Sequence, residues 1–248
     1  MTGRQRVVSL VPSSTETLLA LGADVVACTR FCEQPAIEHV GGTKNPDIGA
    51  IVGLAPDVVV LDREENRLED HDALVAAGLD VFVSDVRTVQ DGCEVVAGLA
   101  AVAGVATPAD HGAPAPAPAP TIGRRPVAFV PIWRRPWMTI GVRTYGASVL
   151  HHLGIDLVLP GDGGGDGGGA GGASDYPTVD LEVVAEQRPD LVLVPSEPYD
   201  FRPEHLAELA ETFGPDTRVV PVDGQDLFWW GIRTPAALRR LAVALGSS

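Results

Sequence analysis

The sequence predicts an α/β protein made of two similar parallel-sheet lobes joined by a long helix. The first reason is an internal duplication, in which AIVGLAPDVVVL at residues 50–61 aligns with VVAEQRPDLVLV at residues 183–194. Each copy reads as the end of a helix, a Pro-Asp turn and a short buried strand. The second reason is that strand and helix patterns alternate through both halves, as they do in a parallel sheet with helical crossovers.

The remaining elements repeat in the same order. Opening strands are predicted at Val7–Val11 and Val127–Pro131. The segments TETLLALGADVVA and YGASVLHHLGIDLVL both read as a helix, a glycine cap and a strand. Asp47 and Asp180 fall at equivalent helix starts, and HDALVAAGLDVFV pairs with LAELAETFGPDTRVV further on. This shared order predicts two homologous lobes.

The segment between the repeats predicts where the lobes end. We expect an N-terminal lobe at 1–87, a connector at 88–124 and a C-terminal lobe at 125–248. The connector begins with a helix at Val89–Gly104, in which Cys93 packs, and continues into GAPAPAPAP, which favours an extended linker. The glycine-rich run at 161–172 lacks the helix that follows a phosphate loop and the repeats of a calcium-binding coil, which predicts a flexible surface insertion.

Charge and cysteine content restrict the class of protein. The 248-residue chain has 33 acidic and 18 basic residues and a formal charge of −15, which disfavours nucleic-acid binding. Three cysteines do not build a disulfide framework and fit a reducing cytosol. VVAC at residues 25–28 resembles a lipid-attachment site, but Glu16 and Asp24 interrupt the apolar stretch that a signal requires. We therefore expect a cytoplasmic protein without a membrane span.

Aromatic residues mark the predicted ligand-binding edge. In parallel α/β sheets, ligands meet the loops beyond the carboxyl ends of the strands. The four tryptophans fall in these predicted loops: Trp133, Trp137, Trp229 and Trp230. Large aromatic side chains clustered in loops indicate a stacking surface, and we expect at least one member of each pair to be structural.

Charged residues of the same loops suggest polar contacts. A candidate positive patch for carboxylate or phosphate groups consists of Arg134, Arg135, Arg143 and Arg233. The alternative is pairing of these arginines with surface carboxylates. Glu64 and Glu197 occupy equivalent places in the repeat. We expect them to line the mouth of the cleft, with Arg134 or Arg135 neutralising at least one; the alternative is that both are solvated.

Enzymatic signatures are weak in this sequence. Ser13, Ser14 and Thr15 lack a nucleophile elbow and read as caps of the first helix. The six histidines lack metal-ligand spacing. The most metal-like group is Cys32-Glu33-Gln34, and a single thiolate without an adjacent histidine predicts no zinc or iron site formed by side chains alone.

VVSLVPSSTETLLALGA, GGTKNPDIGAIVGLAPDVVVL and the two-lobed repeat resemble the helical-backbone metal-receptor superfamily. The resemblance implies a type III periplasmic-binding-protein-like fold and a role in binding cobalamin, haem or iron–siderophore ligands. VPIWRRPWM and DREEN are similar to a bacterial subgroup that often lacks export signals.

The resemblance also assigns roles to individual positions. Receptors of the cobalamin type carry one permease-docking glutamate in each lobe, and the matching positions here are Gly49 and Glu182. Loss of one charge disfavours docking to an ABC permease. Tryptophans that line the cobalamin cleft match Thr43, Asp62 and Tyr176, of which only the last is aromatic.

Three functions remain open at this stage. The first is a non-enzymatic binding protein that holds a bulky anionic metal chelate, tetrapyrrole or siderophore-like compound between its lobes. The alternatives are an exported ABC-transporter receptor whose true start lies upstream, and an enzyme derived from this fold that uses Cys32 or Glu64. The predicted ligand-binding residues are Ser14, Arg30, Cys32, Thr43, Lys44, Glu64, Glu65, Trp133, Arg134, Arg135, Trp137, Tyr176, Glu197, Tyr199, Trp229, Trp230 and Arg233.

Overall fold

The computed structural model describes residues 4–108, 124–158 and 174–246, which form two compact units. The first unit contains residues 4–86, 90–108 and 229–234. The second contains residues 87–89, 124–158, 174–228 and 235–246. The predicted proline-rich linker and the predicted glycine-rich insertion lie outside the described residues.

The first unit is built on a five-stranded sheet with the order β3-β2-β1-β6-β7, in which every pair of neighbours is parallel. A short hairpin, β4–β5, stands apart from this sheet. In chain order the elements are β1 (Arg6–Ser9), α1 (Pro12–Ala20), β2 (Asp24–Cys28), β3 (Glu38–His39), β4 (Gly41–Gly42), β5 (Asn45–Pro46), α2 (Ile48–Leu54), β6 (Val58–Asp62), α3 (Leu68–Ala76), β7 (Val81–Ser84) and α4 (Val89–Val102).

The second unit is built on a four-stranded parallel sheet with the order β11-β8-β12-β13, and it also carries a hairpin, β9–β10. Its elements in chain order are β8 (Val127–Phe129), β9 (Pro131–Trp133), β10 (Met138–Thr139), α5 (Tyr145–His152), β11 (Asp156–Leu157), α6 (Leu181–Glu186), β12 (Leu191–Pro195), α7 (Pro203–Phe213), β13 (Arg218–Val222), α8 (Gly224–Phe228) and α9 (Thr234–Leu245).

The duplication is visible in both sequence and structure. β6 and β12 are the fully buried strands that follow the two Pro-Asp turns, as the continuous apolar runs require. Asp47 and Asp180 are the N-caps of α2 and α6, and their carboxylates accept the backbone N–H groups of Ala50 at 3.0 Å and Glu182 at 2.8 Å. The predicted α/β class with parallel sheets is confirmed.

Each sheet has its own apolar core. Val8, Ala27 and Val59, from three neighbouring strands, are fully buried with Ile51 of α2 and Leu74 of α3. In the second unit, Phe129 and Val192 pack with Leu209 of α7, and Phe213 stacks on Phe129 with ring centroids 5.6 Å apart. These cores hold the strands in place, so the loops at their carboxyl ends are carried on a rigid base.

The structure corrects the prediction for the start of α1. The helix begins at Pro12, with Val11 as an N-cap that makes no side-chain cap bond. Ser13, Ser14 and Thr15 therefore lie inside the helix and are buried, and do not cap it. Proline at the first helical position has a suitable φ and lacks an N–H that would need a partner, which lets the helix start immediately after the strand.

The division of the chain into units also differs from the predicted boundaries. Residues of α4 from Gln90 onward belong to the first unit, where Val96 and Leu99 are fully buried. Trp229–Thr234, predicted as part of the C-terminal lobe, also belongs to the first unit. A further helix, α8, directly precedes Trp229 and Trp230, which were predicted to lie in a loop, and the Asp223 carboxylate accepts the N–H groups of Gln225 and Asp226 at its start.

Candidate functional site

In the second unit, the β9–β10 hairpin and the loop after β12 bring aromatic rings together. Trp133 is the last residue of β9 and pairs with Met138 across the hairpin. Tyr199 and Phe201 follow β12, and His205 lies in the first turn of α7. The hairpin turn WRRPW and the loop after β12 thus supply one surface from residues far apart in sequence.

The rings form a connected cluster. Trp133 meets Tyr199 edge-on with centroids 5.2 Å apart, and Tyr199 lies 4.7 Å from Phe201. Phe201 stacks on Trp137 at 6.0 Å with an interplanar angle of 7°, and His205 lies 5.7 Å from Tyr199. Trp133 is 44% exposed, whereas Trp137 packs against the core of the unit. The cluster thus holds an exposed indole ring on a rigid aromatic support.

Arg134 forms a bidentate ion pair with a carboxylate of α7, as the alternative interpretation of the arginines anticipates. Its Nε and Nη2 donate to the two carboxylate oxygens of Glu208 on α7, at 3.0 and 3.2 Å, and its guanidinium lies 5.7 Å from the centroid of Trp137. The Arg134 guanidinium thus pairs with Glu208, and the expectation that Arg134 or Arg135 neutralises Glu64 or Glu197 stays a prediction. A bidentate pair of this kind fixes the hairpin against α7.

Arg143 also pairs with a carboxylate, as the alternative interpretation of the arginines anticipates. Arg143 Nε and Arg87 Nη1 donate to opposite oxygens of Asp175 at 2.9 and 3.1 Å. Burial acts to raise the pKa of Asp175, but the bonds and charges of the two guanidinium groups outweigh it and the pKa is lowered. The half-buried Tyr176 follows this anchor, so its loop is fixed at one end.

Glu197 packs closely against the start of α8. A Cβ atom on Gly224 would lie 2.5 Å from Glu197 Cγ, and the Gly224 N–H donates to Ser196 Oγ at 3.0 Å. Glu64 occupies the equivalent position in the repeat, and its backbone carbonyl oxygen accepts a hydrogen bond from Lys44 Nζ at 2.6 Å. The role of both carboxylates toward a ligand stays a prediction.

Asp62 and Asn66 organise the ligand-side loop of the first unit. Asp62 is buried and accepts Ser84 Oγ at 2.8 Å and the Glu64 N–H at 2.9 Å. Asn66 Nδ2 donates to the backbone oxygen of Thr43 at 2.9 Å, so the loop holds the tip of the β4–β5 hairpin. Burial raises the pKa of Asp62 despite these bonds. This loop brings Thr43, Lys44 and Glu64 together and leaves Glu65 exposed.

The turn after β2 presents a residue that the sequence interpretation missed. Phe31 is 51% exposed, and the guanidinium of the exposed Arg30 lies 4.6 Å from its ring centroid. An aromatic residue inside a polar strand-end turn is the signal that singled out the tryptophans, and it applies equally to Phe31.

Cys32 and Ser14 lie in the same unit and are buried. Cys32 Sγ lies 3.2 Å from both Thr15 Oγ1 and Thr29 Oγ1. Ser14 Oγ is fully enclosed and makes no hydrogen bond within the described part of the chain. Ser14 lies inside α1 and Cys32 lies in the turn after β2. Both side chains are buried, and their role toward a ligand stays a prediction.

Trp229, Trp230 and Arg233 form part of a segment that binds to α1. Trp230 is buried, and its backbone N–H donates to Ser13 Oγ at 3.3 Å. Arg233 pairs with both oxygens of Glu16, at 2.7 and 3.0 Å, and lies 5.0 Å from the centroid of the half-buried Trp229. Arg233 belongs to the first unit, whereas Arg134 and Arg143 belong to the second, and the positive patch stays a prediction.

Two further properties bear on the kind of site. Within residues 4–108, 124–158 and 174–246, no group of three or more histidine, cysteine, aspartate or glutamate side chains is arranged to hold a metal ion. Over the same ranges, no helix has the length and apolar character required to cross a membrane.

The two parallel-sheet units, each with a polar or aromatic loop surface, define the fold of a binding protein. A sequence profile of the family described as periplasmic binding protein matches residues 7–213, and the chain belongs to this family. The resemblance to the helical-backbone metal-receptor superfamily is thereby confirmed.

Curated relatives match a limited part of the chain. The vitamin B12-binding protein of Yersinia pestis (strain Pestoides F) is 34% identical over 87 residues, which is 33% of this chain and 31% of the relative. The vitamin B12-binding protein of Yersinia pseudotuberculosis serotype O:1b (strain IP 31758) gives the same values. The match spans about a third of the length of these relatives.

Solved structures resemble the whole chain. The periplasmic vitamin B12-binding protein BtuF of Vibrio cholerae has a TM-score of 0.74 at 16% identity, covering 98% of this chain and 97% of that one. The haem-binding protein BhuT, solved with two haems, has a TM-score of 0.74 at 21% identity and 98% coverage of both chains. HutB, a haem-binding protein of Vibrio cholerae, has a TM-score of 0.74 at 18% identity, with 98% and 99% covered. At these identities the likeness shows the fold.

Proposed function

We propose that the protein binds a bulky metal chelate of the cobalamin or haem class, using the exposed Trp133–Tyr199 surface as its main contact. The observation that carries the proposal is that Trp133 is 44% exposed and rests edge-on against Tyr199. A large exposed indole ring costs solvation free energy unless a partner covers it. Here the surrounding rings keep it in a fixed orientation.

A macrocycle suits this surface chemically. Its broad, apolar ring system offers an area comparable to the indole and phenol rings together, and aromatic contacts of this kind supply much of the binding energy in ligand sites. The exposed Arg135 lies in the turn of the same hairpin, where its guanidinium is suited to the peripheral carboxylate or phosphate groups of such a ligand.

The first unit offers a second set of contacts of the same type. Phe31 and Arg30 form an exposed aromatic and cationic pair, and Lys44 is an exposed cation at the tip of the β4–β5 hairpin. These cations are local exceptions in a chain of formal charge −15, which is why we propose an anionic ligand. The family membership supports binding, and the names of the relatives and neighbours point to cobalamin and haem.

The direct test is an equilibrium titration of the purified protein with hydroxocobalamin, haemin and a ferric siderophore, followed by absorbance and Trp fluorescence. We expect saturable binding of one tetrapyrrole with one-to-one or two-to-one stoichiometry. Mass spectrometry of small molecules retained by gently purified protein identifies the natural chelate. Absence of saturable binding to all three classes, with folded protein, contradicts the proposal.

A receptor role for an ABC permease is the second candidate, favoured by one exposed charge. Glu182 is exposed in the first turn of α6 and borders an open groove lined also by Trp137 and Thr212. Its repeat mate Gly49 is exposed on α2 and offers no charge, which disfavours docking to a permease. We therefore place the receptor role second to our first proposal, which is ligand binding in the cytoplasm without permease docking and without catalysis. Cell fractionation that recovers the protein outside the cytoplasm contradicts this part.

A further inference from the structure

The turn after β2 and the β4–β5 hairpin meet at Gly42. The backbone N–H of Arg30 donates to the Gly41 carbonyl oxygen at 3.0 Å, which ties this turn to the hairpin. A Cβ atom on Gly42 would lie 3.1 Å from Arg30 Cζ and 2.6 Å from Asn45 Oδ1. The Arg30 guanidinium and the Asn45 amide therefore reach the same point of the hairpin, and glycine at this point leaves room for both.

The Arg30 guanidinium is held by a ring and by the hairpin, and it has no polar partner. Its Cζ lies 4.6 Å from the centroid of the exposed Phe31 ring. In the part of the chain that the structure describes, neither this guanidinium nor the side-chain amide of Asn45 makes a hydrogen bond or an ion pair. Arg63 of the same unit, by contrast, pairs with a carboxylate at 3.4 Å. Arg30 and Asn45 are both exposed, so their donors are open to a ligand.

Lys44 adds an ammonium group at the tip of the same hairpin. Gly42 pairs with Asn45 across the hairpin, so Lys44 is one of the two residues of its turn. Lys44 Nζ donates to the backbone carbonyl oxygen of Glu64 at 2.6 Å, which leaves two of its three hydrogens for another acceptor. The carboxylate that follows the hairpin, that of Asp47, caps α2. Three side chains with donors therefore stand on or against one short hairpin, in a chain with a formal charge of −15.

We propose that Arg30, Lys44 and Asn45 bind a phosphate group of an anionic ligand. The guanidinium, the ammonium and the amide offer donors on three separate side chains. A carboxylate has two oxygens in one plane, whereas a phosphate monoester has three terminal oxygens around its phosphorus and can accept from all three side chains. The exposed Phe31 ring beside Arg30 supplies an apolar surface for the part of the ligand that is attached to the phosphate.

This phosphate site deepens the proposed function and rests on it only for the anionic character of the ligand. It names phosphate as the anionic group, adds Asn45 as a contact and makes Gly42 a residue on which the affinity depends. All of these residues belong to the first unit, so inorganic phosphate tests the site without a metal chelate.

The test is an NMR titration of the isotope-labelled full-length protein with inorganic phosphate, in which sodium chloride is adjusted to keep the ionic strength constant. We expect saturable shifts at the Arg30 Nε–Hε group and at the backbone amides of Lys44 and Asn45, and none at the Arg63 Nε–Hε group. Acetate is expected to bind at least about fivefold more weakly, because it occupies fewer of the donors. Equal affinity for the two anions, or a response at Arg63 like that at Arg30, overturns the proposal.

Gly42→Ala tests the geometry of the site without removing a charge. The added Cβ displaces the ends of two flexible side chains, so we expect the fold to be retained, whereas Gly53, with nothing within 4 Å of a Cβ, is the matched control. We expect Gly42→Ala and Arg30→Gln each to weaken phosphate binding at least about fivefold, and Gly53→Ala to leave it unchanged. Unchanged affinity in either of the first two variants overturns the site. Phosphate binding without tetrapyrrole binding supports the site and contradicts the proposed function, and tetrapyrrole binding without a phosphate response does the reverse.

Discussion

Arg233 and Glu16 are separated by 217 residues in sequence and form a bidentate ion pair within the first unit, with Nε to Oε2 at 2.7 Å and Nη2 to Oε1 at 3.0 Å. Two hydrogen bonds flank this pair: the backbone N–H of Trp230 donates to Ser13 Oγ, and the backbone N–H of Ile232 donates to Thr17 Oγ1. The segment Trp229–Thr234 is thereby fastened along α1 and completes a unit that begins near the N-terminus.

The first prediction concerns this ion pair. Arg233 is 14% exposed and Glu16 is 32% exposed, so solvent screens the pair only in part. We expect Arg233→Met and Glu16→Gln each to lower the free energy of unfolding by about 1–3 kcal/mol, with a coupling of about 1 kcal/mol or more in a double-mutant cycle measured by urea unfolding.

The matched control is the pair between Arg63 and Asp85, which is 3.4 Å long with side chains 73% and 43% exposed. Its coupling is expected to be below about 0.5 kcal/mol. Equal coupling in the two pairs, or additive effects at Arg233 and Glu16, contradicts the role given to this segment.

Gly231 provides a second prediction for the same segment. Its φ is +97°, and a Cβ atom there would clash with Thr17 Oγ1. Gly78, with φ +81° and open space around a Cβ, is the matched control for backbone strain alone. We expect Gly78→Ala to cost about 1 kcal/mol and Gly231→Ala about 2 kcal/mol more, measured by thermal unfolding. If Thr17→Ala, combined with Gly231→Ala, restores none of this additional loss of stability, the clash with Thr17 is not its cause.

Asp190 gives a prediction about acid stability. The Val127 N–H donates to its carboxylate at 2.7 Å, and Arg124 pairs with the other oxygen. These bonds, the first being the larger, lower its pKa below the ordinary value of 3.8. The stabilisation is therefore complete above about pH 5 and is lost as the pH falls through the folded-state pKa.

We expect Asp190→Asn to be less stable than the wild type at pH 7 by about 1 kcal/mol, since the carboxylate is partly exposed, and to approach the wild type at pH 2–3. Asp216→Asn, at an exposed position of the same unit, is the control and is expected to leave the curve unchanged. A constant difference between Asp190→Asn and the wild type across this pH range contradicts the assignment.

The repeated pattern was sufficient to predict the two parallel sheets, because continuous apolar strands, Pro-Asp turns and Asp N-caps are local signals. The pattern does not predict which residues far apart in the sequence form ion pairs. The sequence does not say that Arg134 selects Glu208 and not Glu197, or that Arg233 selects Glu16, since many carboxylates compete for each arginine. Ser14 was assigned to the wrong environment because a hydroxyl that caps a helix and one that lies inside it look alike in sequence.

The two repeat-related glutamates remain a prediction about the ligand. Glu197 is half-buried against Gly224, and Glu64 belongs to the loop that Asp62 holds. If they contact the ligand, Glu64→Gln or Glu197→Gln is expected to change the dissociation constant about fivefold or more, corresponding to ~1 kcal/mol. Unchanged affinity in both single variants and the double variant, with folding intact, shows that they are solvated loop residues.

The most direct test of the central claim is the affinity of Trp133→Ala for the tetrapyrrole that the wild type binds, compared with that of Val243→Ala. Trp133 is the exposed ring of the aromatic cluster, and Val243 is an 81% exposed apolar residue on α9 that serves as the matched truncation. We predict that Trp133→Ala raises the dissociation constant at least about tenfold, which corresponds to ~1.4 kcal/mol of binding free energy. Val243→Ala is predicted to leave the dissociation constant unchanged. Equal affinity of Trp133→Ala and the wild type, with both folded, contradicts the account.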